Sequence, residues 1–437
     1  MARVGIVICN YNKAQMVCEC IQSVLEMKYT DYDLYVADNA STDDSVSQIK
    51  QRFFGKLTLV VNEENKGGSG GFNAGMREAM KHGYDYIWCL DNDVLVDENA
   101  LGELVLFLDA NPDCGMAGSK VDHMEAPDYV QQYGMSVDFK CFATVAKYLN
   151  HPEDGTLPDV VYSDAVAACS VLVSTKLIER IGLLPEDNFL YWDDTEWGMK
   201  CNLAGFKVAS VGSSVVLHCM GAKREDVNTF PTYYAWRNWI DFFMRYTSQD
   251  DLYDMCLSFL TDLFDIQYCS LYNGVQNKGT TVMLAYDDAL HGVRGKAGEG
   301  RILAMDRNTD KLRLLIEGKR KLVIIKNGHE GACNRLSSSI QELNSEIEIH
   351  IYEDCSQIDE GADALIEMCN YIFTMKEMKK DVFYVDTELN IYNPGSPDDE
   401  LMLFNYPYAR KQFIASQLPN FMDKTMEIRR LRPAYKG

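Results

Sequence analysis

The stretch Val4-Gly5-Ile6-Val7-Ile8-Cys9-Asn10-Tyr11-Asn12 opens the chain with an apolar run that stops at polar residues. A continuous apolar run of this length predicts a β-strand buried on both faces, as in a parallel sheet. Similar runs follow at Leu34 to Ala37, Leu57 to Val61 and Tyr86 to Leu90, with helix-like stretches between them. Alternating strands and helices predict an α/β fold with a mostly parallel sheet flanked by helices.

The length of 437 residues predicts two or three units with cores of their own. We expect a first domain over 1–245, a helical connecting segment over 246–318 and a small α/β domain over 319–437. Hydrophobic residues make up 47% of the chain and charged residues 24%, which is typical of globular proteins and excludes a fibrous or disordered chain. The net charge of -23 argues against a nucleic-acid partner.

Polar residues stand where the predicted strands end. Asn10 follows the first strand, Asp38 follows the second, and Asp91-Asn92-Asp93 follows the fourth. Ligands of open parallel sheets bind beyond the carboxyl ends of the strands, so we expect these residues to share one crevice. Two carboxylates separated by one residue can hold a divalent ion against a diphosphate, although an isolated Asp-Asn-Asp is equally compatible with a solvated turn.

A second acidic cluster follows later in the chain. Asp193, Asp194 and Glu196 lie between Trp192 and Trp197 at the start of a predicted helix. One predicted strand further on, the apolar run Val215 to Leu217 delivers His218, whose imidazole is a suitable metal ligand.

The glycine-rich turn Lys66-Gly67-Gly68-Ser69-Gly70-Gly71 has three interpretations. A dinucleotide-binding fingerprint fails because Asn73 stands where the last glycine is needed, and no Gly-Lys-Ser/Thr ending supports a Walker A loop. A flexible turn remains open. We favour a turn whose backbone amides approach a diphosphate before a helix that starts near Asn73.

Taken together, these motifs resemble the inverting nucleotide-sugar glycosyltransferases of the GT-A type, in the large second family of such enzymes. The resemblance covers roughly residues 1 to 245 and includes Asn10-Tyr11-Asn12, Asp38 to Asp43, Asp91 to Asp93 and Asp193 to Trp197 in the family's order. The stretch Asn65 to Phe72, the Trp192-Asp193-Asp194-Thr195-Glu196 motif and His218 are similar to the branch of galactofuranosyl- and rhamnosyltransferases.

The resemblance implies a role for each motif residue. Asp194 becomes the general base, and Asp91, Asp93 and His218 become the ligands of a divalent metal, Mn²⁺ or Mg²⁺, with the imidazole favouring Mn²⁺. The remaining positions divide into a donor set and an acceptor set. The donor set is Asn10, Asp38, Gly70, Gly71, Asn73, Asp91 and Asn92, with Asp38 at the nucleotide base, and the acceptor set is Trp192, Asp193, Glu196 and Trp197.

The expected partners are a nucleotide-sugar donor carrying UDP or dTDP and a glycan or lipid-linked glycan acceptor, in cell-surface polysaccharide synthesis. The sequence shows no secretion signal and no run of about 20 apolar residues, so we expect a cytoplasmic protein that works, if at a membrane, on its surface. A homo-oligomer is compatible with the sequence.

Several alternatives remain open at this stage. A catalytically silent sugar-nucleotide or glycan-binding module is the main rival, and a sugar nucleotidyltransferase is a third option. Arg237 is a candidate for a phosphate contact or for an ion pair. Arg429, Arg430, Arg432 and Lys436 form a basic tail that we interpret as solvated, with contact to anionic lipid as the alternative.

Overall fold

The N-terminal run forms the central strand of a large twisted sheet. The chain is described by a computed structural model over residues 2–219, 228–306, 308–354, 361–375 and 377–436. Within these residues the first part of the chain contains β1 Val4–Asn10, β2 Tyr32–Asp38, β3 Thr58–Val61, β4 Tyr86–Asp91, β5 Val94–Val96, β6 Cys114–His123, β7 Ala126–Gln132, β8 Met135–Asp138, β9 Ala143–Ala146, β10 Val160–Ser163, β11 Ser170–Ser174 and β12 Lys207–His218.

The large sheet has the strand order β10-β12-β6-β11-β4-β1-β2-β3, with β5 paired to β12 and β7 to β6. Strands β1, β2, β3 and β4 pair in parallel, as the sequence predicts. Strand β12 is parallel to β6, whereas β5, β7, β10 and β11 add antiparallel pairs. The predicted α/β fold class is confirmed. The sheet contains more antiparallel strands than the apolar runs of the sequence predict.

Both faces of the sheet are covered by helices, which explains the uninterrupted apolar run in β1. Ile6 and Ile8 pack against the layer of α1, α2 and α4, whereas Val7 and Cys9 pack against the layer of α3, α5 and α6. Every residue of β1 is buried. These helices have the bounds α1 Ala14–Leu25, α2 Ser45–Arg52, α3 Gly67–Ala79, α4 Ala100–Ala110, α5 Thr175–Ile181 and α6 Asp193–Leu203.

The glycine-rich turn is part of a helix, so the predicted helix start near Asn73 is wrong. Helix α3 begins at Gly67, and its glycines let it pack directly on β1. A Cβ on Gly71 would lie 2.4 Å from Cys9 Sγ, and one on Gly75 would lie 2.4 Å from Val7 Cγ1. Glycine is a poor helix former, and here close helix–sheet contact outweighs that intrinsic preference.

Beyond the sheet lies a helical layer made of α7 Phe230–Tyr246, α8 Leu252–Tyr272, α9 Gln276–Leu290 and α12 Pro397–Leu431. These helices share one apolar core that includes Phe243, Phe259 and Phe421. Helices α8 and α9 lie within the range 246–318, where we expected a helical connecting segment. Among the described residues, no helix is both long enough and apolar enough to cross a bilayer.

A second sheet follows, with the order β14-β13-β15-β16-β17. Its first four strands are parallel and its last is antiparallel, in line with the predicted small α/β unit. The division of the chain into three domains stays a prediction. The elements of this part are α10 Asp310–Ile316, β13 Lys321–Ile325, α11 Glu330–Leu343, β14 Glu348–Tyr352, β15 Ala364–Cys369, β16 Val382–Asp386 and β17 Ile391–Tyr392.

The C-terminal basic residues return to the helical layer, so the interpretation as a solvated tail is wrong for two of them. Arg429 donates hydrogen bonds to the carbonyl oxygens of Met244 and Thr247, at 2.7 and 2.8 Å. Arg432 binds both carboxylate oxygens of the buried Asp241, at 2.8 and 2.9 Å. The guanidinium groups are used to attach the end of α12 to α7.

Candidate active site

The strand-end residues meet in one crevice, as predicted. Strand β1 pairs with β2 and β4 in a register that sets Asn10 beside Asp38 and Cys9 beside Asp91. The Asn10 amide nitrogen donates to Asp38 Oδ2 at 2.8 Å, and the Asn10 amide oxygen accepts from Asn92 Nδ2 at 2.8 Å. Asn10 therefore links the ends of three neighbouring strands.

A candidate metal site lies at the same edge. Asp91, Asp93 and His218 each offer one ligand atom, and these atoms lie within 4.8 Å of one another. His218 arrives there because β12 pairs antiparallel with β5, which sets His218 opposite Val94. Two carboxylates and an imidazole are a suitable donor set for Mn²⁺ or another divalent ion.

The site concentrates negative charge that attracts cations. Burial, together with the charge of Asp93, raises the pKa of Asp91 to about 6. Burial acts to raise the pKa of Asp93 as well, but hydrogen bonds and charges from His218 and Lys13 outweigh it and lower that pKa. The Lys13 ammonium lies 2.5 Å from Asp93 Oδ2, and His218 Nε2 lies 3.4 Å from Asp93 Oδ1. An ammonium at this position shows that the carboxylates favour positive charge.

Gln131 orients the imidazole of His218. The Gln131 amide oxygen lies 2.6 Å from His218 Nδ1, so Nδ1 donates the proton and Nε2 faces the carboxylates. Sequence reasoning missed both Gln131 and Lys13. Lys13 directly follows the motif Asn10-Tyr11-Asn12, so its position could have indicated a role at the site. Gln131 lies in an irregular stretch of sequence and belongs to no motif.

The second acidic cluster begins helix α6. Asp193 Oδ2 accepts a hydrogen bond from Ser69 Oγ at 2.8 Å, and Asp194 Oδ1 accepts from the Thr195 backbone nitrogen at 2.6 Å. Burial and the charge of Asp194 raise the pKa of Asp193 to about 7. Burial also raises the pKa of Asp194, and the charge of Asp91 adds to the rise. The charge of Asp91 therefore reaches the Asp194 carboxyl.

An open cleft of about 550 Å³ adjoins Asp194. Aromatic side chains form part of its wall, and Trp192 is stacked on Trp239 with ring planes 8° apart. Aromatic faces of this kind suit the apolar faces of sugar rings. The cleft is lined by Gln132, Met135, Thr144, Ala167, Tyr191, Trp192, Asp194, Thr195, Pro231, Thr232, Ala235, Trp236 and Lys278.

Two residues of the predicted acceptor set are engaged elsewhere. Glu196 is buried and binds Arg245 through both carboxylate oxygens, at 2.9 and 2.6 Å. Trp197 is 1% exposed and donates its indole N–H to the Gly182 carbonyl oxygen at 3.0 Å. The structure thus brings Trp192 to the cleft, pairs Asp193 with Ser69, and leaves Glu196 and Trp197 in the protein interior.

Part of the predicted donor set is also internal. Gly70 and Gly71 are buried within α3, and Asn73 is 1% exposed and donates to the Leu184 carbonyl oxygen at 2.9 Å. Asp38 is fully buried, and its carboxylate accepts from the backbone nitrogen and hydroxyl of Ser41, at 2.9 and 2.7 Å. These contacts give the glycines and Asn73 packing roles, and they make Asp38 a residue that shapes the turn after β2.

Part of the chain is similar in sequence to known proteins. Residues 5–163 match the family model described as Glycosyl transferase family 2. Over 91 residues the chain is 30% identical to the poly-beta-1,6-N-acetyl-D-glucosamine synthase of Staphylococcus aureus (strain COL), a match that covers 21% of each protein. The chain thus spans about a fifth of the length of the curated relatives it matches.

Solved structures with similar folds include GalNAc-T7 with UDP, GalNAc and Mn²⁺, which has a TM-score of 0.48 and 14% identity over 59% of this chain and 50% of that one. A second is the mannosyltransferase PcManGT from Pyrobaculum calidifontis in complex with GDP-Man and Mn²⁺. It has a TM-score of 0.40 and 17% identity over 55% of this chain and 62% of that one. Residues 5–163, which match the model of glycosyl transferase family 2, contain Asn10, Asp38, Asp91 and Asp93.

Proposed function

We propose that this protein transfers a sugar from a nucleoside diphosphate to an acceptor hydroxyl, with inversion at the anomeric carbon. One observation carries the proposal: Asp91 and Asp93, within the range that matches glycosyl transferase family 2, meet the imidazole of His218. Asp194 lines a cleft and is close enough for the charge of Asp91 to add to the rise of its pKa. A leaving diphosphate needs positive charge, and an acceptor hydroxyl needs a base.

On the donor side, Asp91, Asp93 and His218 would hold a divalent cation, with Mn²⁺ favoured over Mg²⁺ by the imidazole. Such an ion supplies Lewis-acid neutralisation of the departing diphosphate. Gln131 holds the tautomer of His218 that leaves Nε2 available. Lys13 adds a second positive charge at the same place, and its side chain is about one-third exposed, so the ammonium can turn from Asp93 towards a phosphate oxygen.

On the acceptor side, Asp194 takes the proton of the attacking hydroxyl. Burial raises the pKa of its carboxyl, which increases its affinity for that proton. The hydroxyl oxygen attacks opposite the diphosphate in a single displacement, so no covalent sugar–enzyme intermediate forms. Trp192 and Trp236 line the cleft that would receive the acceptor, and Asp193 accepts a hydrogen bond from Ser69.

For the substrates, we propose galactofuranose or rhamnose carried on UDP or dTDP, and a glycan or lipid-linked glycan as acceptor in polysaccharide synthesis. The support is the sequence resemblance of the Trp192 to Glu196 motif and of the Asn65 to Phe72 stretch. We further propose that Asn10, Asp38 and Asn92 shape the nucleotide end of the crevice through their mutual hydrogen bonds.

The test measures sugar transfer from UDP-galactofuranose and dTDP-rhamnose, with Mn²⁺ or with EDTA. We expect EDTA to abolish transfer, Asp194→Asn to lower kcat by about 100- to 10,000-fold, and the product to carry the inverted anomeric configuration. Asp262→Asn is the matched control, since burial also raises the pKa of the Asp262 carboxyl, but this residue lies in α8.

Retention of configuration, or transfer by Asp194→Asn at the rate of the control, contradicts the mechanism. Nucleotide binding that raises the melting temperature without transfer from either donor favours the silent binding module.

A further inference from the structure

The segment of residues 188–192, directly before the two acidic residues of α6, has an unusual backbone. Phe189, Tyr191 and Trp192 have φ angles of 68°, 63° and 66°. Aromatic L-residues rarely adopt the left-handed region, and they remain there only when surrounding contacts compensate for the strain. We call this stretch the strained segment. Something outside it must hold its conformation.

Asn238 on helix α7 is the main contact of this kind. Its side chain is 1% exposed, and its amide nitrogen donates to three carbonyl oxygens of the strained segment. The distances are 2.9 Å to Asn188, 2.7 Å to Leu190 and 3.1 Å to Tyr191. One amide group thus binds the strained segment at both ends and in the middle.

Arg237 holds the same segment from the neighbouring position. Its side chain is fully buried, and its guanidinium donates to the Asn188 carbonyl oxygen at 2.9 Å and to the Gly295 carbonyl oxygen at 2.7 Å. The guanidinium carbon lies 5.3 and 5.0 Å from the ring centres of Tyr233 and Tyr234. Arg237 therefore binds backbone carbonyls instead of the phosphate or carboxylate considered from the sequence.

The strained segment also contacts the glycine-rich start of α3. A Cβ on Gly67 would lie 1.9 Å from the Phe189 carbonyl oxygen, so the two backbones are in direct contact. Three residues after that contact, Trp192 leads into Asp193 and Asp194. A shift of the strained segment therefore moves the proposed base relative to the metal site.

We infer that Arg237 and Asn238 are positioning residues, which hold the strained segment in the conformation that directs Asp194 into the cleft. Neither residue is among those that line the cleft or offer a ligand atom to the metal site, and both act through the backbone that precedes the base. The catalytic half of this inference rests on the proposed function. Displacement of a reacting group by about 1 Å costs about 100-fold in rate, so loosening this contact has a measurable effect.

The experiment compares Asn238→Ala and Arg237→Lys with Asn390→Ala in the full chain. Asn390 is the matched control because it is also a buried asparagine, and its amide donates to Asp386 in the second sheet at 3.0 Å. Hydrogen exchange of peptides covering 186–195 measures the strained segment directly. Transfer assays give kcat per nucleotide-binding site, with sites counted by titration with UDP or dTDP and Mn²⁺.

We expect Asn238→Ala to speed exchange over 186–195 by at least about 10-fold and to lower kcat by about 100-fold, with nucleotide affinity within about twofold of wild type. Arg237→Lys keeps the charge but loses one of the two carbonyl contacts, so its effect on both readouts is smaller. Asn390→Ala changes neither readout.

Unchanged exchange over 186–195 in Asn238→Ala overturns the inference. Faster exchange with unchanged kcat per site also overturns it, because the residues are then structural only. Absence of transfer in the wild-type protein overturns the proposed function instead, and the exchange data still report on whether Asn238 holds the strained segment.

Discussion

Replacing Arg245 by methionine is the sharpest test of how the acidic cluster is stabilised. Arg245 binds Glu196 through two hydrogen bonds, of 2.9 and 2.6 Å, and Asp241 through one of 2.9 Å. Asp241 keeps Arg294 and Arg432 as partners after the substitution. Among the described residues, Glu196 keeps only Lys200 at 3.5 Å and the Tyr246 hydroxyl at 3.3 Å. The cost therefore falls mainly on Glu196.

The pKa of Glu196 gives the magnitude. Burial acts to raise this pKa, but the charge of Arg245 and its hydrogen bonds lower it from 4.5 to about 2. That difference corresponds to about 3 kcal/mol, and removal of one partner of a buried ion pair typically costs about 3–5 kcal/mol. We expect Arg245→Met to lower the free energy of unfolding of this unit by about 3 kcal/mol. The double variant Glu196→Gln/Arg245→Met should recover part of the loss, because no uncompensated charge remains on Glu196.

Urea unfolding followed by tryptophan fluorescence measures this quantity. All 5 tryptophans of the chain lie between Trp88 and Trp239, so the signal reports the unit that contains the cluster. A depressed carboxyl pKa contributes stability above about pH 4.5, and that contribution disappears as the pH falls towards about 2. The difference between wild type and Glu196→Gln should therefore shrink over that window. A loss below about 1 kcal/mol for Arg245→Met, or strictly additive effects in the double variant, refutes the reasoning.

Three further substitutions test other parts of the structure. Gly67→Ala should destabilise the protein by about 1–3 kcal/mol more than Gly55→Ala in thermal unfolding. Both positions have positive φ, but only the new Cβ at position 67 would clash with a carbonyl oxygen, that of Phe189. Equal losses of stability would contradict the packing argument. Gln131→Leu should weaken Mn²⁺ binding about 10- to 100-fold in calorimetry, since His218 loses the partner that orients its ring. An unchanged Mn²⁺ affinity would contradict this orienting role of Gln131. Asp262→Asn should stabilise the protein by about 1 kcal/mol above pH 6, because burial raises the pKa of that carboxyl from 3.8 to about 6 and the charged form is the costly one. The gain should shrink as the pH falls from 6 towards 3.8, and an undiminished gain at pH 4 would contradict this origin.

Strands β1, β2 and β4 were predictable, because they are buried along most of their length and therefore appear in the sequence as continuous apolar runs. The start of α3 was not predictable, since four of its first five residues are glycines and local preference argues against a helix. The contact of Gly71 and Gly75 with β1 overrides that preference, and it cannot be read from the local sequence.

The candidate site divides in the same way. Asp91, Asp93 and His218 were predicted together, and the antiparallel pairing of β5 with β12 brings them within reach of one another. Glu196 was assigned to the acceptor because it lies next to Asp194 and Trp192 in sequence. In helix α6 the side chain of Glu196 points away from Asp194 and Trp192 and binds Arg245. Arg245 lies 49 positions further along the chain, so the local sequence does not reveal this ion pair.

By itself the sequence determined the spacing of the apolar residues, the polar side chains at the strand ends, and the order in which the motifs occur. Those are local properties, set by the chemistry of neighbouring residues. Only the tertiary structure decided which carboxylates stay available and which are neutralised, since that depends on cations such as Lys13 and Arg245 arriving from distant elements. The same holds for the strained segment before Asp194, because the hydrogen bonds that compensate for its backbone come from Arg237 and Asn238 on another helix.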